Sequence, residues 1–305
     1  MTDRKKRLRG NLMLLVTAMI WGVAFVAQKS GGTALGALTC NGLRSLICAA
    51  GLTAAMPLMN KVKLSRRPET PREKKLLLIG GVLCGLAMFA ATNLQQLGIN
   101  VPGVTEGKSA FVTALYIVLV PLIGLLFRKR VTVLTWFGVV LAAGGLYLLC
   151  AMGETGFGVG DLLLLLCALA FAIQILLVDH FAPLVDGVRL SRMQFLVVGI
   201  LNLPLMLFIE HPTWEVIVSH LPELLYLGLM SSGVGYTLQI LGQKDTNPTT
   251  ASLLMSLESV FGALAGWLIG SGGMGLYEWL GSGLMFAAIV LAQLPAPKKR
   301  GEKTV

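Results

Sequence analysis

Apolar residues gather along this chain in ten blocks, each about the length of a bilayer crossing, with short polar or turn-forming segments between them. The blocks lie at approximately 10–28, 34–58, 76–98, 103–126, 131–151, 159–179, 190–209, 220–241, 248–270 and 275–294. About 20 apolar residues at a rise of about 1.5 Å cover a hydrocarbon layer of about 30 Å, and backbone groups left unpaired in lipid force such blocks to be helices. The separators "KVKLSRRPETPREKK", "RKR", "MGETGFGVG", "HPTWEVIVSH" and "QKDTNP" are charged or rich in Pro and Gly, so they break the helices. The pattern predicts an all-α polytopic membrane protein of ten transmembrane helices.

The blocks also repeat. "GNLMLLVTAMIWG" from Gly10 resembles "GDLLLLLCALAFA" from Gly160, "LVPLIG" at 119–124 lines up with "LESVFG" at 257–262, and "WFGVVL" at 136–141 with "WLGSGL" at 279–284. This divides the chain into a basic N-terminus (1–9), a five-helix repeat (10–151), a second five-helix repeat (159–294) and a basic tail (295–305). Five is odd, so the second repeat enters the membrane from the opposite side, an inverted-topology pair of the kind that alternating access uses.

Composition agrees: 55% of the 305 residues are hydrophobic and 13% charged, with a mean hydropathy of +0.77, against about 25% charged in a soluble domain. The net charge of +10 does not point to nucleic acid, because the basic residues form short runs between apolar blocks. They read as topology signals. With both termini in the cytoplasm, 22 of the 25 Lys and Arg fall on the cytoplasmic side, leaving Lys29 at an outer edge and Arg44 and Lys108 within spans. The N-terminal apolar run is too long for a signal peptide and has no small-residue cleavage site, which makes it the first membrane helix.

Several chemistries are excluded. Cys40, Cys48, Cys84, Cys150 and Cys167 all lie in apolar blocks without a CxxC pair, and His180, His211 and His220 flank helix ends, so neither a disulfide framework nor a metal site is expected. The stretch "PGVTEGKSAF" imitates a phosphate loop, but Gly103 and Gly107 enclose three residues instead of four and a membrane helix precedes them. No cofactor is expected.

"GNLMLLVTAMIWGVAFV", "RSLICAAGLTAAMPL", "GKSAFVTALYIVLVPLIGLLF", "GDLLLLLCALAFA" and "TTASLLMSLESVFGALAGWL" together resemble the EamA-like family of the drug/metabolite transporter superfamily, in its bacterial ten-helix form. The resemblance spans nearly the whole chain. It implies a central cavity lined by helices one to four and six to nine, export of small metabolites, and a bacterial inner membrane. Where that family often carries Gly-Glu after helices four and nine, this chain has "FRKRVT" and "GSGGMG".

A charge at the centre of a membrane helix costs at least about 2.5–3.5 kcal/mol, so intramembrane Glu258, Arg44 and Lys108 face protein or water and are functional candidates. Glu258 begins a small-residue face with Gly262, Gly266 and Gly270; it is either a packed, hydrogen-bonded carboxyl or a group that exchanges a proton during transport. Arg44 suits a carboxylate, belonging either to Glu258 or to a substrate. Lys108 either gates an anionic group at the outer vestibule or snorkels and pairs with Glu106. Neutral hydrogen-bonding candidates for the cavity are Trp21, Gln28, Asn93, Gln95, Gln96, Thr113, Tyr116, Gln174, Tyr236 and Gln239. Trp21 corresponds to Phe171 across the repeat, and Pro57, Pro121 and Pro204 free carbonyls within helices.

The expected function is secondary-active export of a small polar or amphipathic metabolite, such as an amino acid or related compound, by alternating access. It runs either downhill or in exchange for protons. The partners are that substrate and the lipid bilayer. A passive pore is the alternative. An intramembrane enzyme is disfavoured by the scarcity of acids and the lack of a nucleophile and base pair.

Overall fold

The structure is a computed structural model, and it describes residues 3–104, 106–126, 131–150, 158–269 and 275–293. Helix accounts for nearly all of them. α1 is Asp3–Ala27, prolonged by a widened turn Gln28–Gly32 and a last turn Thr33–Leu35; α2 is Ala37–Lys61 and α3 is Pro71–Asn100. α4 comes in two parts, Glu106–Ala114 and Tyr116–Leu126, and is followed by α5 (Val133–Cys150) and α6 (Val159–Phe181). α7 (Gly187–Leu205) runs on through Met206–Glu210; α8 combines Leu221–Leu225, Tyr226–Gly235 and Tyr236–Gln243. α9 is again two parts, Pro248–Met255 and Glu258–Ile269, and α10 is Leu276–Gln293.

Seven of these stretches are long and apolar enough to cross a membrane, and Val133–Leu148 and Trp279–Leu291 are shorter apolar helices. Their outward faces carry Leu12, Val16, Met19, Leu83, Leu86 and Val140, all exposed, as lipid contact requires in a chain with this composition.

The helices begin where the sequence supplies caps. Thr70 accepts from Glu73 N ahead of Pro71, Asp186 accepts from Arg189 N, and Asn247 accepts from Thr250 N ahead of Pro248. The separators seen in the sequence thus act as starts as well as stops. Helix α2 is capped differently. It follows Gly36 (φ 89°), and its free N–H groups at Leu38 and Thr39 donate to the carboxylate of Glu210, at the far end of α7, over 3.0 and 2.7 Å. At the opposite ends of the same two helices, Asp186 accepts from Ser65 Oγ and Arg66 N, and Arg189 Nε donates to the Arg66 carbonyl. α2 and α7 are therefore tied together at both ends.

Several bounds differ from the sequence reading. α1 starts seven residues earlier, so the basic run 4–9 is helical, because Lys and Arg are good helix formers and no breaker precedes Gly10. A short helix, Trp214–Ser219, capped by Thr213, occupies a separator read as irregular. The continuous spans expected for α4 and α9 are each interrupted, at Leu115 and at Ser256–Leu257, where backbone bonds tighten to three-residue turns.

Packing pairs α5 with α10, α2 with α7 and α8, α3 with α6 and α7, α4 with α6, and α1 with α8 and α9. Exchanging each helix for the one five places along leaves this map unchanged. Small residues permit the closest approaches. A Cβ on Gly22 of α1 would lie 2.7 Å from Gly262 N and 2.8 Å from the Glu258 carbonyl of α9, whereas one on Gly144 would meet nothing within 4 Å. Gly22→Leu is therefore expected to cost about 1–3 kcal/mol, the usual penalty of overpacking. Thermal unfolding of the detergent-solubilised protein checks this, with Gly144→Leu as the neutral control; equal midpoints would show the α1–α9 seam to be loose.

Candidate functional site

One polar cavity lies where α1, α2, α3, α4, α6, α8 and α9 converge. Of the residues singled out in the sequence, Trp21, Gln28, Arg44, Gln95, Thr113, Tyr116, Gln174, Tyr236, Gln239 and Glu258 line it. Both halves of the chain contribute. Only about 30 Å³ of it admits a water-sized sphere, far below the ~300–1,000 Å³ of a ligand-filled pocket. The cavity is thus contracted, and admitting a ligand larger than water would require the helices around it to move.

The two interrupted helices meet at this cavity. Tyr116 is the first residue after the break in α4 and Glu258 the first after the break in α9, and Tyr116 OH donates to Glu258 Oε1 over 3.0 Å. Glu258 is buried beside Gly262, which approaches Gly22. Glu258 thus both packs against α1 and lines the cavity.

Amides close the cavity on two sides. On one, Gln28 Nε2 of α1 donates to Gln95 Oε1 of α3 (3.2 Å), and Gln96 Nε2 donates to the Gln28 carbonyl (3.3 Å) and to Asn100 Oδ1 (3.0 Å). On the other, Gln239 Nε2 of α8 donates to Gln174 Oε1 of α6 (3.1 Å) and to Gln243 Oε1 (2.9 Å), while Gln174 Nε2 donates to Gln194 Oε1 of α7 (3.3 Å). α1 and α3 correspond to α6 and α8 by the same shift of five.

Aromatic rings fill the space between. Trp21 stacks on Tyr236 with centroids 4.4 Å apart, and Phe195 meets Tyr236 edge-on at 5.1 Å. Trp21 Nε1 donates to the Ser231 carbonyl (3.3 Å), and Thr17 Oγ1 to the Gly235 carbonyl (3.1 Å). Those carbonyls belong to the widened turns of α8, Tyr226–Gly235, whose wider hydrogen-bonding pattern turns backbone oxygens toward α1.

Arg44 is 3% exposed and lines the cavity from α2. Its Nε has no hydrogen-bond partner. The ion pair with Glu258 that the sequence allowed is not formed: ion pairs among the described residues join Arg66 to Glu69 and Glu73, both outside the cavity.

Two candidates lie elsewhere. Asn93 joins an amide chain at the α2–α3–α7 seam, accepting from Asn41 Nδ2 (2.9 Å) and donating to Asn202 Oδ1 (3.0 Å). Gln96 stands behind Gln28 without lining the cavity. Lys108 belongs by its backbone to Glu106–Ala114, and its side chain lies outside the described positions. Phe25, Ser231, Gln194 and Gln243 were not picked out from the sequence. Gln194 and Gln243 carried the same signal as Gln174, an amide close to an apolar block; Ser231 contributes a carbonyl, which no side-chain pattern announces.

The EamA-like transporter family model matches residues 8–151 and again 158–294. The chain belongs to this family. An uncharacterized transporter of Archaeoglobus fulgidus is 27% identical over 290 residues, covering 95% of this chain and 87% of that one. A crystal structure 18% identical superposes with a TM-score of 0.76 over 93% of this chain and 96% of the other, which establishes the shared fold. This EamA-like protein is accordingly a multi-pass membrane transporter, with a small-molecule substrate and the bilayer as its partners.

Proposed function

We propose that this EamA-like transporter is a secondary-active exporter of a small polar or amphipathic metabolite, working by alternating access between two inverted five-helix repeats, 10–151 and 159–294. The observation that carries the reading is the placement of one polar cavity between helices of both halves, closed by amides from α1 and α3 on one side and from α6 and α8 on the other. Each cluster lies within one half, and in this cycle the helices of one cluster would part while those of the other stay joined. Further support comes from the packing map that is invariant to a shift of five helices, from the double match of the family model, and from the paired interruptions of α4 and α9. In inverted-repeat transporters, broken helices in corresponding positions mark the substrate site.

In this reading the chain crosses a bacterial inner membrane ten times with both basic termini in the cytoplasm, which the Lys and Arg distribution supports, so the Gln28–Gln95 cluster lies toward the outside and the Gln174–Gln239 cluster toward the inside. In this scheme Glu258 is the proton carrier, held by Tyr116 at the interruption of both helices. Labelling of single cysteines near residues 70 and 155 in intact cells tests the inversion: opposite sides are expected, and the same side would refute it. Counterflow of labelled metabolites in proteoliposomes tests the carrier. Saturable trans-stimulated flux is expected, and unsaturable flux would show a pore.

A further inference from the structure

We infer that the substrate carries a single organic carboxylate and that Arg44 is the residue that selects it. The inference rests on the carrier reading above and adds the charge class of the cargo.

The guanidinium carries a fixed positive charge in a planar fork of donors suited to a carboxylate. In this chain it sits in a cavity wall, 3% exposed, with Nε unbonded and no carboxylate in ion-pair range among the described residues. A buried cation without a counter-ion is a cost that an arriving anion relieves. The acid that shares the cavity, Glu258, is engaged by Tyr116, which leaves Arg44 available.

The rest of the lining sets the size of the charge and the body of the ligand. Arg44 is the one cation among the described lining residues and Glu258 the one acid. A phosphate dianion would bring two negative charges against one positive beside that acid, whereas a carboxylate balances Arg44 alone. Trp21, Phe25, Phe171, Ile175 and Met255 supply the apolar part of the wall beside the amides, which suits a hydrocarbon or aromatic body on the carboxylate. Gly228 lets α8 approach the Arg44 carbonyl closely, so the side chain is held at a seam between α2 and α8 that opening of the cavity would disturb.

Matched acids and amides test this on the purified full-length protein. The pairs are benzoate and benzamide, phenylacetate and phenylacetamide, hexanoate and hexanamide, each followed by thermal stabilisation in a chloride-free buffer, with chloride and inorganic phosphate as separate arms. At least one acid is expected to raise the midpoint saturably while its amide does not. Arg44→Gln is expected to raise the midpoint of the unliganded protein and to weaken that acid by about 30-fold or more; Arg44→Lys, which keeps the charge but loses the fork, is expected to retain part of the response. Equal stabilisation by acid and amide, no response to any acid, or a response to chloride or phosphate alone overturns the assignment. So does an Arg44→Gln protein that is less stable and binds the acid normally, which marks a structural residue. Saturable counterflow of an amide would sink the carboxylate site and leave the carrier standing, while unsaturable flux of every probe would sink the carrier itself.

Discussion

Proton-linked uptake into proteoliposomes is expected to fall to background in Glu258→Gln, while substrate-for-substrate exchange continues at close to the wild-type rate. Glutamine matches glutamate in size, and its Oε1 can still accept from Tyr116 OH, so the contact between the interrupted α4 and α9 is kept. What is lost is the only titratable acid lining the cavity among the described residues. A carrier that must bind or release a proton between its two open forms then cannot complete a net cycle, although it can still shuttle loaded in both directions. Loss of both activities together would make Glu258 a packing residue of the Gly22–Gly262 seam. Tyr116→Phe separates the two roles further: it removes the hydroxyl and leaves the acid, so net transport is expected to slow with its proton dependence retained.

Locking either mouth is expected to stop transport almost completely. Gln28 and Gln95 join α1 to α3, and Gln174 and Gln239 join α6 to α8, on the two sides of the same cavity. Cysteines at either pair, in a background whose own cysteines are replaced, can be bridged by a short reducible thiol cross-linker. Under alternating access each bridge fixes one mouth shut and leaves the other free to open, so counterflow is expected to cease in both cases and return on reduction. Binding, however, is expected to survive with opposite sidedness: the cross-link at Gln28 and Gln95 leaves a site reachable from the α6–α8 side, and the other the reverse. Undiminished flux with the Gln174–Gln239 pair bridged would show that those helices do not move apart.

The membrane helices were legible because burial in lipid is a one-dimensional constraint. A block of apolar residues has to be helical wherever it lies, and the caps at Thr70, Asp186 and Asn247 need only their own next turn. The interruptions in α4 and α9 were not. Pro121 hinted at the first, but Ser256 and Leu257 contain no breaker, and the tight turns there form where Tyr116 and Glu258 must meet. The capping of α2 by Glu210 was equally hidden, since donor and acceptor stand 172 residues apart.

For the site, residue type alone named the polar groups that lipid would not tolerate, and ten of those chosen converge on one cavity. It could not sort them further. Asn93 and Gln96 have the same chemistry as Gln28 and Gln174, yet Asn93 bonds Asn41 and Asn202 at a helix seam and Gln96 donates to Asn100 and the Gln28 carbonyl outside the cavity. Nor could it assign the partner of Arg44.

Composition and spacing alone determined that this chain is helical and membrane-bound, and which polar side chains had to hide from lipid, because each of those outcomes follows from local transfer free energies. Tertiary structure alone decided who meets whom: Tyr116 with Glu258, Gln28 with Gln95, and Arg44 with no carboxylate among the described residues. Such pairings depend on how helices rotate and cross, and those angles are set by small-residue contacts such as Gly22 on Gly262, between segments that are remote in the chain.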